Sequence, residues 1–204
     1  AGGHSSAVVF FFLAVARAVE PRSRFWSGAL LALCAYKPTL LLLVVPMLLI
    51  TGRWLTLVGL AAGSVGLALI SWAIVGTQGC IDFINRLLLF SNAATTEAGL
   101  RTWKYVDINA FMKLLLPHHT QIKSAIIAIA VLLVIPFLVS KWRRLRAEPQ
   151  RRLLWALTLT WTPVLTIYMG IYDSTILVLA ALLLTAEFYS ARDHSDALPF
   201  TYRW

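Results

Sequence analysis

The chain has 204 residues, of which 59% are hydrophobic and 13% are charged. Because soluble domains carry about a quarter charged residues, this composition excludes an ordinary soluble protein and indicates a polytopic helical membrane protein. The formal net charge of +9 comes from basic clusters at the ends of apolar runs, which indicates basic cytoplasmic loops and no nucleic-acid partner.

The apolar runs predict one all-α membrane domain, 1–204, with about five full transmembrane helices in addition to a hairpin. The runs that each predict one crossing are 5–19, 54–76, 121–140, 153–171 and 174–189. Within the run 54–76, Gly59, Gly63 and Gly66 form a small-residue face against which another helix can pack closely. The sequence begins without Met or a basic segment, so we expect it to be the later part of a longer protein.

The run 25–51 is interrupted by Lys37-Pro38, and the positions of the basic residues bear on this interruption. The segment 141–152 holds six basic residues, so it is expected to be a cytoplasmic loop. Counting crossings back from this loop places Arg22 and Arg53 in the cytoplasm as well. Both ends of the run 25–51 then lie on one side of the membrane.

Because both ends lie on the same side, the run is predicted to form a helical hairpin of two short helices, about 25–36 and 39–51. Lys37-Pro38 lies at its tip. Arms of this length are shorter than the bilayer core, which is about 30 Å thick. Pro38 suits the start of the second arm, where a missing N–H costs little. The alternative is one proline-kinked span whose lysine snorkels along its stem.

The segment 77–120 is expected to be external and amphipathic, with helices lying in the membrane interface. Four of its residues are candidates for contacts with sugar rings and phosphates: Arg101, Trp103, Lys104 and Tyr105. Aromatic residues near an interface also serve as membrane anchors, and that alternative stays open.

Three polar interruptions fall on the external side and are candidate binding residues. Lys37 has no acidic residue nearby in sequence, and an intramembrane cation needs either a carboxylate from elsewhere or an anionic ligand. A lipid phosphate fits that depth, and a structural ion pair is the alternative. Tyr172 and Asp173 interrupt a late apolar stretch, where Asp173 can also cap the following helix. His4 opens the first helix on the same side.

Three stretches of the sequence resemble glycosyltransferase family 87. "SGALLALCAYKPTLLLLVVPMLLITGRW" resembles the family segment that leads through small and apolar residues to Lys-Pro and a basic-Trp end. "GGHSS" is similar to the family's Gly-Gln-x-Ser element, with His4 in place of Gln, and "IYDSTILVLAALLL" resembles its Tyr-Asp stretch. The order and approximate spacing of the three agree over most of the chain.

This resemblance implies a GT-C fold and a mannosyltransferase that uses a polyprenyl-phosphate sugar as its donor. It implies an inverting transfer at the external face of a bacterial-type inner membrane, to a hydroxyl of a lipid or glycan acceptor. In the family the general base is an Asp of the first external loop, which we expect outside this chain. The donor-binding candidates are Lys37, His4, Tyr172 and Asp173.

Two other classes of function stay open alongside the glycosyltransferase. A transporter or lipid flippase would need repeat symmetry or charged residues along a path to the cytoplasm, and neither is visible. A non-catalytic membrane scaffold subunit remains compatible, since no residue here must act as a general base. No cofactor is predicted, although the sequence leaves a divalent metal open, and the expected partners are membrane lipid, donor and acceptor.

Overall fold

A computed structural model describes residues 2–95, 105–146, 151–166 and 169–193. In these ranges the chain forms eight α-helices: α1 Gly2–Val19, α2 Arg24–Ala32, α3 Val44–Ile50, α4 Trp54–Thr95, α5 Ile108–Leu115, α6 Thr120–Arg144, α7 Arg151–Leu165 and α8 Ile176–Asp193. Two 3₁₀ turns, Pro38–Leu41 and Ile171–Thr175, connect helices. The same ranges contain no strand, only an isolated β-bridge between Tyr105 and Gly170. The predicted all-helical class is confirmed.

Within the described ranges, three helical stretches are long and apolar enough to cross a membrane: Trp54–Arg86, Thr120–Arg144 and Ile171–Ser190. The predicted count of five full spans is therefore not confirmed. The stretch 153–171 illustrates the difference, because α7 has 15 residues and is about 22 Å long at 1.5 Å per residue. Its length falls short of the bilayer core of about 30 Å.

The helix α4 is broken once, at Gly76. This glycine has a φ of 69° and a ψ of 177°, a conformation that an L side chain rarely adopts. The break coincides with the predicted end of the run 54–76. Helix continues beyond it to Thr95, and the residues 77–78 and 81–86 are exposed.

The run 25–51 folds back on itself at Lys37. Arg53, two residues after the end of this run, pairs with Glu20. Glu20 lies four residues before the start of α2. Lys37 instead contacts Ser6 at the opposite end of α1. Such contacts require the chain to travel along the bundle and return, as the hairpin prediction states, and they exclude the single kinked span.

The arms of this hairpin are shorter than predicted. α2 ends at Ala32, and the next residues form 3₁₀-like turns through hydrogen bonds such as Cys34 N to Leu31 O at 2.9 Å and Lys37 N to Cys34 O at 3.0 Å. Pro38 begins the 3₁₀ turn of the returning arm, the position predicted for it. Part of the irregular backbone at the hairpin tip is thus hydrogen-bonded internally.

α2 packs directly on α4 because glycine replaces side chains at their contact. A Cβ added at Gly59 would lie 2.0 Å from the carbonyl oxygen of Phe25, and one added at Gly63 would lie 2.7 Å from the Cβ of Ala32. The order of these contacts shows that the two helices run in parallel. The small-residue face is confirmed at both positions, whereas Gly66 has no neighbour within 4 Å among the described residues.

The other helices complete two opposite ends of the bundle. At one end, which we call the Lys37 end, the hydroxyl of Thr166 after α7 donates to the carbonyl of Thr39. At the other, the Glu20 end, Arg152 of α7 donates to the carbonyl of Ala186 in α8. A core of apolar side chains from α1, α2, α3, α4, α6, α7 and α8 lies between the two ends.

Candidate functional site

Three polar side chains meet at the Lys37 end. The ammonium group of Lys37 donates to Asp173 Oδ1 at 2.5 Å and to Ser6 Oγ at 3.0 Å. The hydroxyl of Ser6 in turn donates to Asp173 Oδ1 at 2.6 Å. Since an ammonium group has three N–H donors, one is left over from these two contacts.

Each of the three residues comes from a different part of the chain. Ser6 lies near the start of α1, Lys37 lies at the tip of the hairpin, and Asp173 lies in the 3₁₀ turn before α8. The turn holding Asp173 is fixed by a hydrogen bond from Asp173 N to Gly170 O at 2.8 Å. The fold thus brings together residues 167 and 136 positions apart in sequence.

The site is only partly shielded from its surroundings. The side chain of Lys37 is 22% exposed and that of Asp173 is 14% exposed. Both charges therefore remain partly accessible at the surface of the described helices. Pairing a cation and a carboxylate in such a partly buried position also lowers the cost of keeping either charge there.

The partner of Lys37 was left open between an anionic ligand and a carboxylate from elsewhere in the chain. Of the two partners considered, the carboxylate from elsewhere is present, because Asp173 pairs with Lys37 directly. No acidic residue lay close in sequence, so only the tertiary fold could reveal it. In the described contacts, the side chain of Asp173 bonds to Lys37 and Ser6. It does not cap the following helix in these contacts.

The remaining candidates from the sequence occupy different positions. Tyr172 adjoins Asp173, and its side chain is exposed. His4 lies in the first turns of α1, but its side chain is outside the described residues. Tyr105 forms the β-bridge with Gly170 and so lies close to the 3₁₀ turn of Asp173. Three further candidates also fall outside the described residues: Arg101, Trp103 and Lys104.

Asp107 is a buried carboxylate that the sequence analysis did not single out. Its Oδ1 accepts from Ala110 N at 2.9 Å and so caps α5, while its Oδ2 accepts from Met169 N at 2.9 Å. Burial raises the pKa of Asp107, and these backbone N–H groups oppose the rise. An Asp directly before an amphipathic helix is a recognisable capping signal, but its link to Met169 is tertiary. Asp107 thereby ties α5 to the loop that leads to Asp173.

Glu20 is a second buried carboxylate that the sequence analysis missed, at the Glu20 end. It pairs with Arg53 and Arg17 and accepts from Trp155 Nε1 at 2.9 Å. A lone acid between arginines in "ARAVEPRSR" was the available signal. These contacts join the end of α1, the start of α7 and the start of α4, at the opposite end of the bundle from Asp173.

No group of three or more His, Cys, Asp or Glu side chains is placed to hold a metal ion within the described ranges. The two cysteines in these ranges are free thiols, Cys34 in the core and Cys80 on α4. The cluster of Lys37, Asp173 and Ser6 offers one ammonium group, one carboxylate and one hydroxyl.

Comparison with known proteins identifies one family. The model of glycosyltransferase family 87 matches residues 2–170, which is most of the chain. Its matched range includes Ser6 and Lys37 and ends shortly before Asp173. No curated protein and no solved structure matches the chain significantly.

Proposed function

The chain belongs to glycosyltransferase family 87, and from that premise we propose that it transfers a sugar from a polyprenyl-phosphate donor. Membership implies a membrane glycosyltransferase. The proposed sugar is mannose, and the acceptor is a hydroxyl of a lipid or glycan. The Lys37 end is proposed to face the outside of a bacterial-type inner membrane.

The observation that carries this proposal is the partly exposed pair of Lys37 and Asp173 beside Ser6. A glycosyl phosphate presents a phosphate anion next to sugar hydroxyl groups. The ammonium of Lys37 suits the phosphate, and the carboxylate of Asp173 suits the hydroxyls as an acceptor. This ion pair therefore offers a phosphate-binding cation and a hydroxyl-binding carboxylate within one hydrogen-bond length of each other.

The lipid tail of such a donor sets the depth at which its phosphate is presented. Lys37 lies at the tip of a hairpin whose arms are shorter than a full span, so its charge can lie near that depth. Exposure of Tyr172 beside the pair gives the sugar an aromatic surface to contact. The candidates Arg101, Trp103, Lys104, Tyr105 and His4 remain proposed contacts of donor or acceptor.

The transfer itself would proceed with inversion. The acceptor oxygen attacks the anomeric carbon as the bond from that carbon to the phosphate oxygen breaks, and the lipid phosphate leaves with the bonding electrons. The acceptor proton passes to a general base, to which we assign no residue of this chain. Lys37 would stabilise the charge that develops on the leaving phosphate, a role that positioned cations serve in other transferases.

Asp173 has two tasks in this proposal. It holds the ammonium of Lys37 at the mouth of the site, and it accepts from a sugar hydroxyl through the oxygen that Lys37 does not engage. Phosphate and carboxylate repel each other, so the phosphate must approach Lys37 from the side of its remaining N–H. Ser6 can then turn its hydroxyl from Asp173 toward the phosphate.

Lys37→Ala tests the proposal against a purely structural pair. We expect kcat/KM for polyprenyl-phosphate mannose to fall about 10- to 100-fold, since one charge-assisted hydrogen bond contributes about 1.5–3 kcal/mol. Lys141→Ala is the matched control, because Lys141 is an exposed lysine near the end of α6. Unchanged donor kinetics in a folded Lys37→Ala protein would remove the assigned role.

The proposed orientation has its own test by cysteine labelling in intact cells. In a background with Cys80→Ser, a cysteine at the exposed Tyr36 should react with an impermeant maleimide from outside. Cysteines at Arg22 and Gly52 should be protected. Labelling of both 22 and 52 from outside would refute the orientation.

A further inference from the structure

The Glu20 end gathers arginines around a single buried carboxylate. Glu20 is fully buried, and both of its oxygens are engaged, one by Arg53 and the other by Arg17 and Trp155. The side chain of Arg53 is 8% exposed and that of Arg17 is 12% exposed. Two guanidinium groups therefore share one carboxylate, which leaves at least one positive charge uncompensated by Glu20.

Further arginines surround this centre. Arg151, at the start of α7, is 8% exposed and lies within electrostatic range of Arg17, Arg53 and Arg24. Burial, followed by repulsion from Arg151 and Arg17, lowers the pKa of Arg53 to about 10. Arg17 and Arg53 thus lie in a field to which Arg151 adds positive charge.

A buried excess of positive charge is costly unless an anion compensates it. Arg17 Nε is buried and has no acceptor among the described side chains and backbone, so this guanidinium carries an unsatisfied N–H. Guanidinium groups bind phosphate oxygens in a forked geometry that lysine cannot reproduce. Basic pockets between helices at one end of a membrane bundle are suited to phospholipid headgroups.

We propose that the arginine cluster at the Glu20 end binds the phosphate of an anionic phospholipid. The lipid would seat its headgroup against Arg17 and Arg53, where α1 ends and α4 begins. It would hold these helices together without taking part in the transfer. This site is separate from the Lys37 end and does not rest on the function proposed for it.

Thermal unfolding of the whole purified chain in detergent tests the proposal. Phosphatidylglycerol should raise the unfolding temperature by about 2–4 °C at saturation, because a ligand that binds the folded state stabilises it. Phosphatidylcholine, which has the same diester phosphate but no net charge, should give a much smaller shift. An equal shift with the two lipids would overturn the proposal, and an equal shift with sodium phosphate would show a site for free anions instead.

Two variants locate the effect. Arg17→Gln should lose most of the difference between the two lipids, whereas Arg143→Gln, an exposed arginine at the end of α6, should keep it. An equal loss in both would assign the effect to general surface charge and contradict a built site. Native mass spectrometry of the unaltered protein gives a reading that does not depend on the stability of a variant. One tightly retained phosphatidylglycerol supports the site, and equal retention of phosphatidylcholine opposes it.

Discussion

Neutralising Lys37 and Asp173 singly and together separates a binding role from a structural one. Lys37→Met leaves a carboxylate without its cation, and Asp173→Leu leaves an ammonium without its anion. The double variant removes both charges and replaces them with apolar side chains of similar size. A purely structural pair and a donor-binding pair predict different results for this double variant.

The structure sets the expected magnitudes. Breaking a fully buried ion pair costs about 3–5 kcal/mol, because the remaining charge is left uncompensated. The side chains of Lys37 and Asp173 are 22% and 14% exposed, so solvent reduces this to about 1–3 kcal/mol for each single variant. The double variant should lie within about 1 kcal/mol of the unaltered protein, since apolar replacement of a whole pair is often neutral.

The assay measures unfolding in detergent and transfer from polyprenyl-phosphate mannose on the same samples. We expect the double variant to regain stability while its transfer rate remains at least tenfold below that of the unaltered protein, because phosphate stabilisation is lost. Gln78→Ala, which removes only the exposed hydrogen bond to Asp82, serves as the control and should change neither quantity. Recovery of both stability and transfer in the double variant would refute a role in donor binding.

Two further predictions concern the packing that positions the site. Gly59→Ala should destabilise the protein by about 3 kcal/mol, because its Cβ would lie 2.0 Å from a backbone oxygen, whereas Gly66→Ala, with nothing within 4 Å, should be neutral or slightly stabilising. A similar loss for both, measured by thermal unfolding, would contradict the close contact of α2 with α4. Asp107→Ala should cost about 2–4 kcal/mol and lower transfer, because the N–H of Met169 loses its buried acceptor. Asp82→Ala, an exposed control, should change stability by less than about 0.5 kcal/mol, and equal effects of the two changes would contradict a fixing role for Asp107.

The doubling back at Lys37 could be predicted because it follows from counting charges. Basic residues at both ends of the run 25–51 require an even number of passages, and Pro38 marks where the return begins. The packing role of the glycines in α4 could also be predicted, since three small residues at helical spacing favour close packing of another helix. Gly66 did not join that contact because α2 ends at Ala32, too early to reach it.

The partners of the charged residues could not be predicted in the same way. Asp173 lies 136 positions from Lys37, and only the path of α7 back to the hairpin tip brings the two together. Glu20 is adjacent in sequence to several arginines, yet its contact with Arg53 depends on the return of α3. Ion pairs of this kind depend on tertiary packing, which cannot be predicted from hydropathy or from the distribution of basic residues.

The predicted count of five spans is not confirmed, for a related reason. Hydropathy marks an apolar run wherever the surroundings are apolar, whether they are lipid or protein. In α7 the side chains of Leu154, Trp155 and Leu159 are buried in the protein core. That run therefore reflects in part the interior of the bundle, and α7 itself is short for a full crossing.

The most direct test is a structure of the protein in a lipid nanodisc with polyprenyl-phosphate mannose bound. We predict the donor phosphate within hydrogen-bonding distance of Lys37 Nζ, with the mannose beside Asp173 and the lipid tail leaving sideways from the Lys37 end. A phosphate bound elsewhere, with the ion pair of Lys37 and Asp173 closed and untouched, would contradict the account.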